Sequence, residues 1–201
     1  MNTTIKRISI VAAVPLLAVA VVSATYSLQA SAIATNINST IGSTISVFTT
    51  SGNVAIDATP TGAGVQTINK DVVTVSTNNS AGYNLKLNET TATSALTSGS
   101  NTIPATSGTF AAPIAQAVNT WGYRVDGAGT FGAGPTSVVS NQAIGALKFA
   151  AVPATASPDT LKSTSATATN DVTNVWYGVA VNTATPSGAY TNSVTYTATT
   201  N

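Results

Sequence analysis

Apolar residues fall along this chain in two different patterns. The first is a continuous run, Ile8–Val22, which holds Pro15, follows Lys6 and Arg7, and precedes Ala30-Ser31-Ala32. A basic n-region, an apolar h-region and small residues at −3 and −1 are the ordered parts of a secretory signal. The run is 15 residues long, short of the roughly 20 that span a bilayer. The expectation is a signal helix within residues 1–32 that is removed, with no stable transmembrane anchor left behind.

The second pattern is alternation. Ile33, Ile37, Ile41, Ile45 and Val47 occupy odd positions, with Asn38, Thr40, Thr44 and Ser46 between them, so one face of an extended segment is apolar. Residues 33–50 therefore read as an extended arm or first strand. Phe48 breaks the alternation, which predicts a bulge or turn near Ser46–Thr49. Short strands are expected at Val54–Ala58, Val65–Ile68 and Asp71–Thr77. The turn Asn78–Gly82 leads into Tyr83–Asn88, where Tyr83, Leu85 and Leu87 share the core face; this strand and Asp71–Thr77 read as a hairpin.

Thr90–Ala117 is irregular, with a short strand at Asn101–Ile103 and a helical turn at Pro113–Val118. Trp121, Tyr123 and Val125 alternate with Gly122, Arg124 and Asp126, and Leu147, Phe149 and Ala151 alternate again. Val175–Val181 is apolar on both faces, which predicts a central strand whose outer face meets loops or a neighbour. Pro186-Ser187-Gly188 reads as a tight turn joining it to Tyr190–Thr199 in a C-terminal hairpin. The fold class is all-β: an antiparallel β-sandwich of about eight strands, immunoglobulin-like or pilin-like, over residues 51–201.

Composition narrows the function. Residues 33–201 form a single-domain length with room for a core. They carry five basic residues (Lys70, Lys86, Arg124, Lys148, Lys162) and six acidic ones (Asp57, Asp71, Glu89, Asp126, Asp159, Asp171). These are scattered, so there is no electrostatic footprint for nucleic acid. There is no Cys and no His. Disulfides, thiol chemistry and imidazole-based zinc or haem sites are thereby excluded, and no cofactor is expected. A surface made polar by Thr, Ser and Asn repels itself weakly, which suits self-association or membership of a cell envelope.

Enzymatic chemistry finds little support. There is no Gly-x-Ser-x-Gly elbow, and the acids read as residues of solvated turns rather than a glycosidase pair. The loop Gly127–Pro135 lacks the Lys-Ser/Thr of a phosphate cradle. Asp126, Asp159 and Asn170-Asp171 are too isolated for a calcium loop. Asn38-Ser39-Thr40, Asn78-Asn79-Ser80 and Asn88-Glu89-Thr90 match the N-glycosylation triplet. Two binding devices remain. A carbohydrate-binding face would use the outward member of the consecutive pair Trp176 and Tyr177, with Arg124 beside it. A strand-donor arm would use Ile37, Ile41, Ile45 and Val47, either capping an edge of its own sheet or adding a strand to the next subunit.

The run Trp176-Tyr177-Gly178-Val179-Ala180-Val181, through Pro186-Ser187-Gly188-Ala189-Tyr190, to Val194-Thr195-Tyr196-Thr197 resembles the closing segment of secreted bacterial β-sandwich surface proteins. Gly82-Tyr83-Asn84-Leu85 and Trp121-Gly122-Tyr123 resemble strands in surface proteins of small episymbiotic bacteria. There is a looser similarity to WxL-type cell-wall proteins, although Trp121-Gly122-Tyr123 and Trp176-Tyr177-Gly178 lack the Leu of that motif. The type IV prepilin pattern is missing, since no Gly precedes Ile8 and Ile8–Val22 contains no acid. The resemblance implies a non-enzymatic structural or adhesive role outside the cytoplasm; a carbohydrate-binding module is the alternative.

N-terminal sequencing of the secreted protein is expected to begin at Ile33. Recovery of residues 1–32 on membrane-bound protein would overturn the cleaved signal.

Overall fold

The structure, a computed structural model, describes residues 36–201; the expected signal, residues 1–32, and Ile33 lie outside the described residues. Residues 36–41 are exposed and belong to no strand, with no ladder partner among the described residues. The unit Gly42–Asn201 is all-β, with several antiparallel sheets. Its strands are β1 (Ile45–Thr49), β2 (Val65–Thr77), β3 (Tyr83–Glu89), β4 (Leu96–Ser98), β5 (Asn101–Ile103), β6 (Ile114–Ala115), β7 (Thr120–Val125), β8 (Val139–Gln142), β9 (Lys148–Phe149), β10 (Asp159–Ser163), β11 (Ala168–Val181) and β12 (Val194–Thr200).

The larger sheet has the order β1-β2-β11-β7. β11 pairs with β2 along nearly its whole length, so β1 and β8 share the other edge of β2. β1 takes the Val73–Thr77 end and β8 the Gln66–Ile68 end. The second sheet has the order β10-β3-β12. Two small ladders, β4-β5 and β6-β9, complete the set.

Parity assigns the faces. Val73, Val75, Val175, Tyr177, Val179, Trp121, Tyr123 and Val125 of the larger sheet join Tyr83, Leu85, Leu87 and Leu161 of the smaller one in a single buried cluster. Three tyrosine hydroxyls bond from one sheet to the other within it. Tyr83 donates to Asp171 Oδ2 at 2.8 Å, Tyr123 donates to Asp159 Oδ2 at 2.6 Å, and the Tyr177 and Tyr196 hydroxyls share a bond of 2.7 Å. Lys162 Nζ, 2.5 Å from Asp171 Oδ1, adds an ion pair to the first of these links.

The outer face of β11 is covered, as the doubly apolar pattern predicts, and the cover comes from the chain itself. Gly178 and Gly122 stand opposite each other on β11 and β7, leaving a notch without side chains. Phe149 fills it, and a Cβ built on Gly178 would lie 2.6 Å from Phe149 Cε1. Phe149, Ile68 and Trp176 form a second buried cluster with Val139 and Leu147 against it. Gln116 stitches the cover down, donating to Gly178 O at 2.8 Å, while Gln66 donates to Gln116 Oε1 at 2.6 Å.

Several expectations are corrected. Asp71–Thr77 and Tyr83–Asn88 do not pair, because β2 and β3 belong to different sheets, and the same is true of β11 and β12. Val65–Thr77 is one strand of 13 residues, with no break at Asn69-Lys70. β1 pairs with β2 in unbroken register; Phe48 simply faces the other side, with no bulge. Val54–Ala58 keeps its alternation, with Val54, Ile56 and Ala58 packed on the core, but lies outside any ladder. Side chains of β2 hold its carbonyls instead: Asn69 Nδ2 donates to Ala55 O at 2.8 Å and Thr67 Oγ1 to Asp57 O at 3.3 Å. At Pro113–Val118, β6 pairs with β9 where a helical turn was expected. Among the described residues twelve strands, from two to 14 residues long, stand in place of the expected eight or so.

Beyond the end of β2, two adjacent asparagines act as a clasp. Asn78 donates to Gly42 O at 2.9 Å and accepts from Thr44 N at 2.7 Å. Asn79 donates to Asn201 O at 2.9 Å.

Gly178→Ala is expected to lower stability by ~1–3 kcal/mol through overpacking against Phe149, read by urea denaturation. Gly52→Ala, where a Cβ meets nothing within 4 Å, is expected to leave stability nearly unchanged. Equal effects from the two would refute the notch.

Candidate functional site

β1 ends the larger sheet opposite β7, and β12 ends the smaller one opposite β10. Each therefore leaves one backbone edge without a ladder partner among the described residues. A cleft of about 580 Å³ opens between them, lined by Val47, Val54, Ile56, Leu96, Trp121 and Val194 among others. The Asn53–Ile56 stretch divides it from a second cavity of about 560 Å³ bordered by Pro186–Asn192. Val47 is 38% exposed and Phe48 56%, so both stand at the rim.

Polar and apolar residues line the cleft together: Thr49, Ser51, Asn53 and Asn192 stand beside Val47, Val54, Ile56 and Leu96. Asp71, Tyr177 and Tyr196 all line it. Asp71 sits on the inner face of β2, opposite Val175, and is 4% exposed. Its Oδ1 has no hydrogen-bond partner among the described residues. Burial raises its pKa above the ordinary carboxylate value, while hydrogen bonds from Ser51, Val72 and Thr50 to the carboxylate pull the other way. Burial likewise raises the pKa of Tyr177 and of Tyr196, and the Asp71 charge adds to both shifts. Their mutual bond consumes one hydroxyl proton; the other phenol proton is left to donate.

The proposed sugar-stacking residues are elsewhere, or turned inward. Trp176 does face outward from the larger sheet, but it is 1% exposed. Its Nε1 donates to Asp126 Oδ2 at 2.7 Å, and Lys70 Nζ lies 5.1 Å from the ring centroid, so the chain itself occupies the ring. Arg124 is fully buried. Its guanidinium donates to Gly132 O at 2.9 Å and lies 3.6 Å from Asp126; burial lowers its pKa and Asp126 opposes that shift. Sequence parity could not show that residues 126–150 would fold over this face. Tyr177, 5% exposed, is the one member of the trio that lines a cavity, with its hydroxyl engaged by Tyr196.

Of the strand-donor residues, Ile45 and Val47 lie in β1, paired with β2 of their own chain. Ile37 and Ile41 precede it in solvent, 91% and 84% exposed. Asp71 opens the expected strand Asp71–Thr77, and its parity with Val73 and Val75 is the signal that it faces inward. Asp71, Glu89, Asp159 and Asp171 all lie in strands, Asp71 in the strand expected for it. Asp126, Asp159 and Asp171 each accept a hydrogen bond from a protein side chain. The described residues contain no cluster of three or more His, Cys, Asp or Glu able to hold a metal, nor any helix long and apolar enough to cross a membrane. The loop Gly127–Pro135 is anchored by Phe131, buried against Phe110 and Tyr123.

Comparison with known protein families, curated proteins and solved structures gave no match.

Glu89 continues the inward face of β3, is 2% exposed, and has an Oε1 with no partner among the described residues. Burial pushes its pKa up to about 7. A carboxyl with a raised folded-state pKa stabilises the fold below its unfolded value, and that contribution is lost as pH rises to the folded value. The Glu89 contribution is therefore expected to fall away between about pH 4.5 and about pH 7. Glu89→Gln should flatten this segment of the stability–pH curve and stabilise the protein at pH 8 by ~1–3 kcal/mol, measured by thermal or urea unfolding; an unchanged pH profile would refute it.

Proposed function

We propose that this chain is a non-enzymatic, secreted cell-surface structural or adhesive protein that assembles with copies of itself, its two main sheets stacked as an immunoglobulin-like or pilin-like sandwich. The signal pattern in residues 1–32 supports an extracytoplasmic address. The shared core and the three tyrosine links support the stacking. The observation that carries the reading is a pair of edges without a ladder partner among the described residues, β1 and β12, bordering a cleft lined by apolar and polar residues together, in a chain that also exposes Ile37 and Ile41.

An unpaired edge beside a partly apolar groove is a template for strand addition: the backbone supplies affinity and alternate side chains supply specificity. The exposed segment offers such a groove Ile37 and Ile41, which share one face when the chain is extended. Near-neutral charge removes the repulsion that would keep copies apart.

Light scattering of the full secreted chain at high concentration is expected to show oligomers. A version beginning at Gly42, which keeps β1, is expected to be monomeric with a nearly unchanged melting temperature. A full-length chain that stays monomeric would overturn the reading.

A further inference from the structure

We propose that Asn38 is an N-linked glycosylation site, and that the fold withholds the same modification from Asn78 and Asn88. This rests on the extracytoplasmic address proposed above and is independent of self-assembly.

The transfer forms one bond and breaks one. Its donor is a lipid-pyrophosphate-linked oligosaccharide supplied by the cell. The bond from asparagine Nδ2 to the anomeric carbon forms, and the bond from that carbon to the pyrophosphate oxygen breaks. The lipid pyrophosphate leaves with the electron pair, and Nδ2 gives one proton to a base of the transferase. An amide nitrogen is a poor nucleophile, because its lone pair is delocalised into the carbonyl as in a peptide bond. The transferase must therefore hold the amide and the hydroxyl two residues on together. That calls for a surface segment whose side chains and backbone are not already engaged.

Residues 33–201 hold three Asn-x-Ser/Thr triplets, and the structure separates them. Asn38, Ser39 and Thr40 are all exposed and belong to no strand. Among the described residues, the hydrogen bonds that tie down this end of the chain begin further along, at Gly42 and Thr44.

The other two triplets are closed in different ways. The Asn78 amide is used at both ends, with Nδ2 donating to Gly42 O at 2.9 Å and Oδ1 accepting from Thr44 N at 2.7 Å. It directly follows Thr77, which is paired with Ile45 in the β1–β2 ladder. Asn88 is half-buried on β3, the middle strand of its sheet, opposite Thr195 of β12. Its Nδ2 donates to Glu89 O at 2.8 Å. The hydroxyl of its triplet, on Thr90, is bonded to that of Thr195 at 2.9 Å. Offering Asn78 to an enzyme means undoing the clasp, and offering Asn88 means parting the smaller sheet. Offering Asn38 breaks no ladder.

The test takes the full chain from the secreted or surface fraction of the cells that make it, with intact mass and peptide mapping by mass spectrometry. One glycan is expected, on Asn38, with Asn78 and Asn88 bare. Asn38→Gln and Thr40→Ala are each expected to abolish it, and Thr40→Ser, which keeps the hydroxyl, to retain it. All three variants should melt at the temperature of the unaltered chain, since residues 38 and 40 are exposed. Unmodified folded chain, given a lipid-linked oligosaccharide and a transferase that needs no acidic residue ahead of the asparagine, is expected to gain the same single glycan. An exported chain that is bare at Asn38, that carries a glycan on Asn78 or Asn88, or that is still modified as Thr40→Ala overturns the inference while the address stands. A chain found only in the cytoplasm overturns the address and the inference together.

Discussion

Three phenolic hydroxyls hold the two main sheets in one relation to each other. Tyr83, Tyr123 and Tyr177 each reach from one sheet to a partner on the other: Asp171, Asp159 and Tyr196. A hydrophobic interface alone is non-directional and lets sheets slide, whereas a buried hydrogen bond is lost if its partner moves by an ångström or two. Each link also solves a local problem, since a phenol brings a large apolar ring into the core along with a polar tip that needs a partner there. In a chain with no cysteine, these links do the orienting work that a disulfide between sheets would otherwise do.

The outer side of the larger sheet is governed by subtraction of side chains. Gly122 and Gly178 face each other across the β7–β11 ladder, and their missing side chains admit Phe149 against the backbone. With that ring seated, Trp176 is enclosed and Arg124 finds carbonyls and Asp126 in place of water. The same folding-over that makes the sheet's second face dry removes the aromatic platform a sugar would need there. What remains open lies on the other side, at the β1 and β12 edges.

Alternation told the faces and withheld the partners. Tyr83, Leu85 and Leu87 point to the core as their spacing says, and so do Trp121, Tyr123 and Val125. A period of two states which side of a strand is apolar and is silent about which strand lies next to it. The segments around Asn78–Gly82 and Pro186–Gly188 therefore read as hairpin turns, although each carries the chain from one sheet to the other. The cleft was half legible. The Ile37–Ile41 alternation stands in the sequence, but Asp71 acquires its meaning only from burial beside Tyr177 and Tyr196, three residues that lie on β2, β11 and β12.

The clasp at Asn78 and Asn79 bears on how a linked array of such units would carry tension. One asparagine holds Gly42 and Thr44, and its neighbour holds Asn201, so the points where the arm leaves and where β12 finishes meet at one pole. A pull applied between those points loads the two adjacent side chains and the short β1 ladder at one end, and at the other the bonds of Asn201 to Ala81, Gly82, Asn84 and Thr164. It bypasses the tyrosine links and most of the core. Under load the clasp and β1 would yield first, like a mechanical fuse, while the rest of the fold stays intact and ready to re-form the connection once the force drops.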